Sequence, residues 1–137
     1  MTETGTNRGR YLALNAGLSG LDLRMLVILG TQTGVSDPDL NTVADLDAVT
    51  GVSIHSERIA LTGETITEDD TNNRAAADAN NVSFAAAPST TAQGVAIYDE
   101  GNGTDAGRQL IGIYTTGFPV PMDGGLTVQI ADYLRMT

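Results

Sequence analysis

Cysteine is absent from the sequence, which removes a disulfide framework, a thiolate metal site and a cysteine nucleophile together. Lysine is absent as well. All seven basic residues are arginines, set against 17 acidic residues, for a formal net charge of −10. Phosphate backbones are bound by clustered cations, so this excess of acid argues against nucleic acid as a partner. It argues in the same way against an anionic membrane surface, and it favours solubility by keeping copies apart. Tryptophan is missing too, and four tyrosines and two phenylalanines are the only aromatics. Long apolar runs are scarce: the longest, Met25 to Leu29, falls far short of the roughly 20 residues that a bilayer-crossing helix needs. The opening MTETGTNRGRY has no apolar core of a secretory signal, so the chain is expected to stay in the cytoplasm where it is made.

What is present points to strands. A length of 137 residues suits one domain. Residues 1–10 are polar, carry Gly5 and Gly9 and show no hydrophobic period, which predicts a flexible N-terminal arm; residues 11–137 are expected to form a single β-sandwich domain. Leu21 to Met25 alternates apolar and polar, then runs into Leu26-Val27-Ile28-Leu29, apolar on both faces, as a strand through the middle of a protein does. Asn41 to Val49 places Val43, Leu46 and Val49 at helical spacing, with Asp39 or Asn41 as cap and Gly51 past the end, and predicts one short helix.

Beyond it, strands are expected at Val52–His55, Arg58–Leu61, Thr65–Thr67, Val82–Ala86, Gly94–Tyr98, Gln109–Tyr114, Leu126–Ala131 and Leu134–Met136. Turn-rich stretches separate most of them. Short strands at this density predict an all-β fold, an antiparallel β-sandwich of jelly-roll or Ig-like type. Their alternation directs Val82, Phe84, Val95, Ile97, Ile111, Ile113, Leu126, Val128 and Ile130 to one core.

Residue patterns that carry chemistry are few. His55, the one histidine, lies on an expected strand with no nucleophile elbow in the chain, since Gly17-Leu18-Ser19-Gly20 is one residue short of it. Carboxylates cluster at Asp37/Asp39, Glu68–Asp70 and Asp99/Glu100, all in expected turns, where Asp is favoured for backbone reasons. A glycosidase pair would need an aromatic-lined groove that this composition does not supply. The loop from Asp99 to Asp105 sets oxygen ligands between glycines, as calcium loops do, which makes Asp99, Asn102 and Asp105 the calcium-loop candidate. It departs from the EF-hand pattern, with Gly101 at position three and Leu110 at position twelve. No catalytic residue and no cofactor is expected, and the protein is read as not an enzyme. Arg8 and Arg10 in the arm are suited to forked pairing with a partner's carboxylates, and Leu26 and Ile28 are expected to add apolar assembly contacts.

The order of segments carries a resemblance. Residues 59–67 (IALTGETIT) and an acidic turn are followed by residues 81–86 (NVSFAA) and residues 94–99 (GVAIYD). A Gly/Asn/Thr/Asp loop, residues 108–114 (RQLIGIY), residues 118–121 (FPVP) and residues 124–130 (GGLTVQI) complete it. This succession, from about Asp39 to Ala131, resembles a family of small virion structural proteins of tailed bacteriophages, described as capsid decoration (cement), head-fibre or minor tail components. Asn80-Asn81 departs from it where acids are frequent, and Thr115-Thr116-Gly117 where an Asp is frequent.

The resemblance implies a capsid decoration protein on the exterior of the head, stabilising contacts between capsomers. The major capsid protein would be its partner, and self-association as a homotrimer is expected. A minor tail or fibre component, or a carbohydrate- or host-surface-binding module using the Asp99–Asp105 loop, are the alternatives.

Overall fold

The computed structural model describes residues 6–130 and 133–136. In chain order the elements are α1 (Asn7–Leu18), β1 (Leu23–Leu29), α2 (Val43–Asp47), β2 (Ser53–Ile54), β3 (Ile59–Ala60), β4 (Thr65–Asp69), β5 (Arg74–Asp78) and β6 (Val82–Phe84). Then follow β7 (Thr91–Asp99), β8 (Gln109–Tyr114), β9 (Val120–Pro121), β10 (Leu126–Val128) and β11 (Leu134–Met136). Every ladder is antiparallel, and strands dominate, consistent with an all-β sandwich. The chain groups into two compact units, one of residues 21–61 and 82–128, the other of residues 1–20, 62–81 and 129–137.

The larger unit is built on a six-stranded sheet of order β2-β1-β7-β8, with β3 also pairing β1 and β9 pairing β7. The apolar run of β1 lies inside it, paired with β7 from Leu23↔Asp99 to Leu29↔Ala92. On one face Leu26, Ile28, Ala96 and Tyr98 pack with Val35, Val43 and Leu46, all fully buried. On the other, Met25, Val27, Val95 and Ile97 are buried as well. Side chains of this kind contribute roughly 1.5–3 kcal/mol each when fully buried, so β1 and β7 are where the unit is held. A separate two-stranded ladder pairs β6 with β10, setting Phe84 opposite Leu126 and Val82 opposite Val128.

Local chemistry fixes the connections. β1 ends at Gly30, whose φ of +92° is disfavoured for L side chains, and a Cβ there would collide with the Gly51 carbonyl oxygen. The short helix expected over residues 41–49 is α2. Its N-cap is Thr42, whose Oγ1 accepts the Asp45 N–H at 3.2 Å, while Asp45 Oδ2 accepts the Thr42 N–H at 3.0 Å. That carboxylate accepts the Asn41 N–H at 3.0 Å as well, and the two backbone bonds, Asn41's first, hold its pKa below the ordinary value.

The smaller unit pairs β4, β5 and β11 in the order β11-β5-β4, with α1 against β5 and β4. Asp69 ends β4 and accepts from Asn72 and Arg74, closing the turn into β5. Ala75, Ala76 and Ala77 are all buried.

Three expectations change. Residues 7–10 are not an arm: they form the first turn of α1, capped by the Thr6 hydroxyl, which accepts the Gly9 N–H at 3.0 Å. Residues 1–5 of that span lie outside the described residues. β5 and β9 occupy stretches where no strand was expected. The nine apolar residues do not share one core, because Ile113 pairs with Ala96 and residues paired across a ladder lie on one face. Val95 and Ile97, one residue out of phase with Ala96, therefore lie on the face opposite Ile113.

Candidate functional site

The hairpin loop between β7 and β8 gathers the strongest electrostatics in the described residues. Arg108, just before β8, donates from Nε and Nη2 to the two oxygens of Glu100 at 3.0 and 2.7 Å, and from Nη1 to Asp105 Oδ1 at 2.7 Å. The two-point grip on Glu100 is the forked geometry that only a guanidinium supplies. Glu100's bonds, then Asp105's, push the Arg108 pKa above the ordinary arginine value. In return Arg108 holds the Glu100 carboxyl below the ordinary glutamate range.

Arg24, on β1, lies 3.7 Å from Glu100 and bonds Asp22, whose backbone N–H donates to Asp99 Oδ1 at 3.0 Å. Arg58 stands 3.8 Å from Asp105. Its guanidinium and that of Arg108 lie 5.6 and 5.9 Å from the centre of the buried Tyr98 ring, within cation–π range. Arg58 Nε and Nη1 and the Tyr98 hydroxyl are buried without a hydrogen-bond partner among the described residues, and the Arg58 charge is compensated by the Asp105 carboxylate and the Tyr98 ring.

This network also fixes α2. The Arg108 carbonyl accepts the Val43 N–H at 2.9 Å and the Asp105 carbonyl accepts the Ala44 N–H at 3.0 Å. Both are first-turn donors that the helix cannot satisfy itself. Beside the loop a groove of about 690 Å³ runs between residues 35–38 and 40–42 on one wall and residues 109–113 of β8 on the other.

The residues singled out from the sequence fall in separate places. Asp99 closes β7, Asn102 and Asp105 lie in the loop after it, and all three are engaged. Asp99 accepts from Asp22, Asn102 Oδ1 accepts the Thr104 N–H and hydroxyl at 3.1 and 2.7 Å, and Asp105 is held by Arg108. The Arg108 guanidinium thus takes up the Asp105 carboxylate, while Asp99 is held by a backbone N–H. Among the described residues no group of three or more His, Asp or Glu side chains is placed to hold a metal ion.

Leu26 and Ile28 are fully buried in the core and are corrected from assembly contacts to core residues, since α2 and Val35 cover the face that was expected to be open. Arg8 pairs with Glu68 at 3.1 Å and lies over the Tyr11 ring, and Arg10 bonds Asn7 and the Asn73 carbonyl. Both arginines brace α1 against the β4–β5 turn of their own unit. His55 accepts the Glu57 N–H through Nδ1 at 3.1 Å, a local turn bond.

Arg108, Arg58, Tyr98 and the groove were not singled out in the sequence. One signal was available: Arg108 is the only cation adjoining a loop with Asp99, Glu100 and Asp105, and so its natural counterion.

No helix among the described residues is long and apolar enough to cross a membrane. Comparison with protein-family models, with curated proteins and with solved structures finds no match.

Proposed function

We propose that this protein is a structural component of a bacteriophage virion, a decoration protein bound to the outside of the capsid, with the major capsid protein as its partner. The observation that carries the reading is the ordered succession of segments from residue 59 to residue 130 that resembles such proteins. Those segments coincide with β3, β4, β6, β7, β8, β9 and β10 and the turns between them. A cement protein works by presenting fixed surfaces, and two features suit that work. β1 and β7 are buried on both faces, and the long β7–β8 loop is pinned by arginine forks.

The reading differs from the one the sequence suggested in how the protein is retained. Arg8 and Arg10 are engaged within the chain, and Leu26 and Ile28 are internal, so retention falls to the loop surfaces and sheet edges of the folded unit. Counting copies of the chain in purified particles by quantitative mass spectrometry tests the proposal. Many copies, scaling with the number of capsomers, are expected. A handful per particle would assign the chain to the tail, and none would remove it from the virion.

A further inference from the structure

We infer that the Asn102–Gly103 step in the β7–β8 loop is a site of self-modification, at which the Gly103 backbone nitrogen displaces ammonia from the Asn102 side-chain amide. The inference goes beyond the decoration reading and does not depend on it. Asn102 is the only asparagine in the sequence that glycine follows. A Cβ on the following residue crowds the approach of that residue's backbone nitrogen to the amide carbon, and glycine has none. Gly103 also sits at φ +81°, a conformation that other L residues rarely adopt. Asn102, Gly103 and Thr104 are all exposed, so water reaches the site.

The loop holds the amide ready for attack. Asn102 Oδ1 accepts the Thr104 N–H at 3.1 Å and the Thr104 hydroxyl at 2.7 Å. The first bond folds the side chain forward over its own backbone, closing a ring of atoms that contains both Asn102 Cγ and the Gly103 nitrogen. Both donors point at the oxygen on which negative charge develops when that nitrogen adds to Cγ, the arrangement that stabilises such an intermediate. Gly107 backs the amide, and a Cβ there would collide with Asn102 Oδ1 and Cγ. The Gly103 N–H donates to the Glu100 carbonyl at 3.0 Å, and this bond opens before the nitrogen reacts.

The step needs only water as co-reactant. Water takes the Gly103 amide proton as the N–Cγ bond forms; the Cγ–Nδ2 bond then breaks, and Nδ2 takes up a proton and leaves as ammonia. The cyclic imide that results adds water at either carbonyl. One route gives aspartate, the other isoaspartate, with the backbone rerouted through the side chain. Either product adds a negative charge to a loop where Arg108 is already committed to Glu100 and Asp105. Isoaspartate also lengthens the backbone just before Asp105, whose carbonyl accepts the Ala44 N–H of α2. The exposed surface of the loop therefore changes as the protein ages.

The test incubates the folded native protein at mildly alkaline pH and maps its peptides by mass spectrometry, with fragmentation that separates isoaspartate from aspartate. Asn102 is expected to convert ahead of every other asparagine, and faster as pH rises, with isoaspartate among the products as the mark of the ring. Thr104→Val keeps the backbone donor and removes the hydroxyl, and it should slow conversion about two- to tenfold, the effect of one hydrogen bond. In urea, with the loop unfolded, the native chain and the variant should convert at equal rates. Asn102 left intact, aspartate as the sole product, or equal rates for the folded native protein and the folded variant would each overturn the inference. So would a difference of the same size in urea, which would place the effect in the local sequence and not in the folded loop. Copy number on particles has no bearing on these outcomes, so the decoration reading stands or falls separately.

Discussion

Arg108 shows how one side chain can decide what a loop is. From the sequence, the Asp99–Asp105 stretch carries the spacing of oxygen ligands and glycines that calcium loops use. In the structure a guanidinium three residues beyond it takes up Glu100 and Asp105 instead. The sequence holds every participant, but not the fact that the turn curls back to bring Arg108 onto them.

Removing that cation leaves Glu100, 17 % exposed, without its forked partner; Asp105, at 38 %, is better screened by water. Arg108→Ala is therefore expected to cost about 1–2 kcal/mol, most of it from Glu100, and Arg108→Lys less, because the charge survives while the fork does not. Urea denaturation midpoints of the variants measure this.

The same pair sets a pH dependence. Glu100 is held below its ordinary value of 4.5 in the folded state, chiefly by Arg108, so the unfolded chain binds its proton first on acidification. Its contribution is complete above 4.5 and lost as pH falls through the depressed folded value. Asp45 and Asp69 shift the same way. Glu100→Gln should be less stable than the native protein at about pH 7, and at a pH well below 4.5 the difference should shrink as the native carboxylate takes up its proton. Parallel denaturation curves at the two pH values would contradict the assignment.

At the scale of elements, legibility followed the strength of periodicity. β1, β7, β8 and β10 were read from alternation or from two-sided apolar runs, and α2 from its spacing and flanking residues. β5 was not, because Arg74-Ala75-Ala76-Ala77-Asp78 carries the residue with the highest helix propensity and no alternation. Its pairing with β4 on one side and β11 on the other decides its state. α1 was missed for the opposite reason. Gly9 and Gly17 lower its intrinsic preference, and its apolar residues do not gather on one face, so the helix rests on tertiary support, as most protein helices do. That support is specific: Asn7 to Asp70 at 2.8 Å, Arg8 to Glu68 and Arg10 to the Asn73 carbonyl.

Deleting residues 1–10 is accordingly expected to do more than shorten a tail. It removes the Thr6 cap and all three contacts, and exchange of the β4 and β5 amides should rise while those of β1 and β7 stay protected. Unchanged protection in β4 and β5 would show that α1 does not brace them. Phe84, in β6, is 4 % exposed and precedes Ala85 and Ala86, which are too small to fill a void. Phe84→Ala should cost about 3–5 kcal/mol, and an unchanged melting midpoint would contradict its place in the core.

For the whole molecule, the antiparallel all-β class was legible from strand density and turn spacing. The grouping into two compact units was not. The smaller unit draws on three separated stretches of chain, residues 1–20, 62–81 and 129–137, and no local pattern announces contacts between segments so far apart. The candidate site was legible only in part for a related reason. Its loop could be read as a feature, but Tyr98 with Arg58 and Arg108 near its ring, and the groove beside β8, depend on the register of β7 with β8. That register includes an irregularity at Ile97/Tyr98 that alternation alone does not reveal.

The proposed function belongs to this scale as well, since a cement protein would be defined by where it sits and what it joins. The most direct measurement is cryo-electron microscopy of the phage head from particles carrying the native chain. The proposal predicts density on the outer surface that accommodates the β1–β7–β8 sheet, repeated across the lattice. Density confined to the tail, or a head surface without this chain, would contradict it.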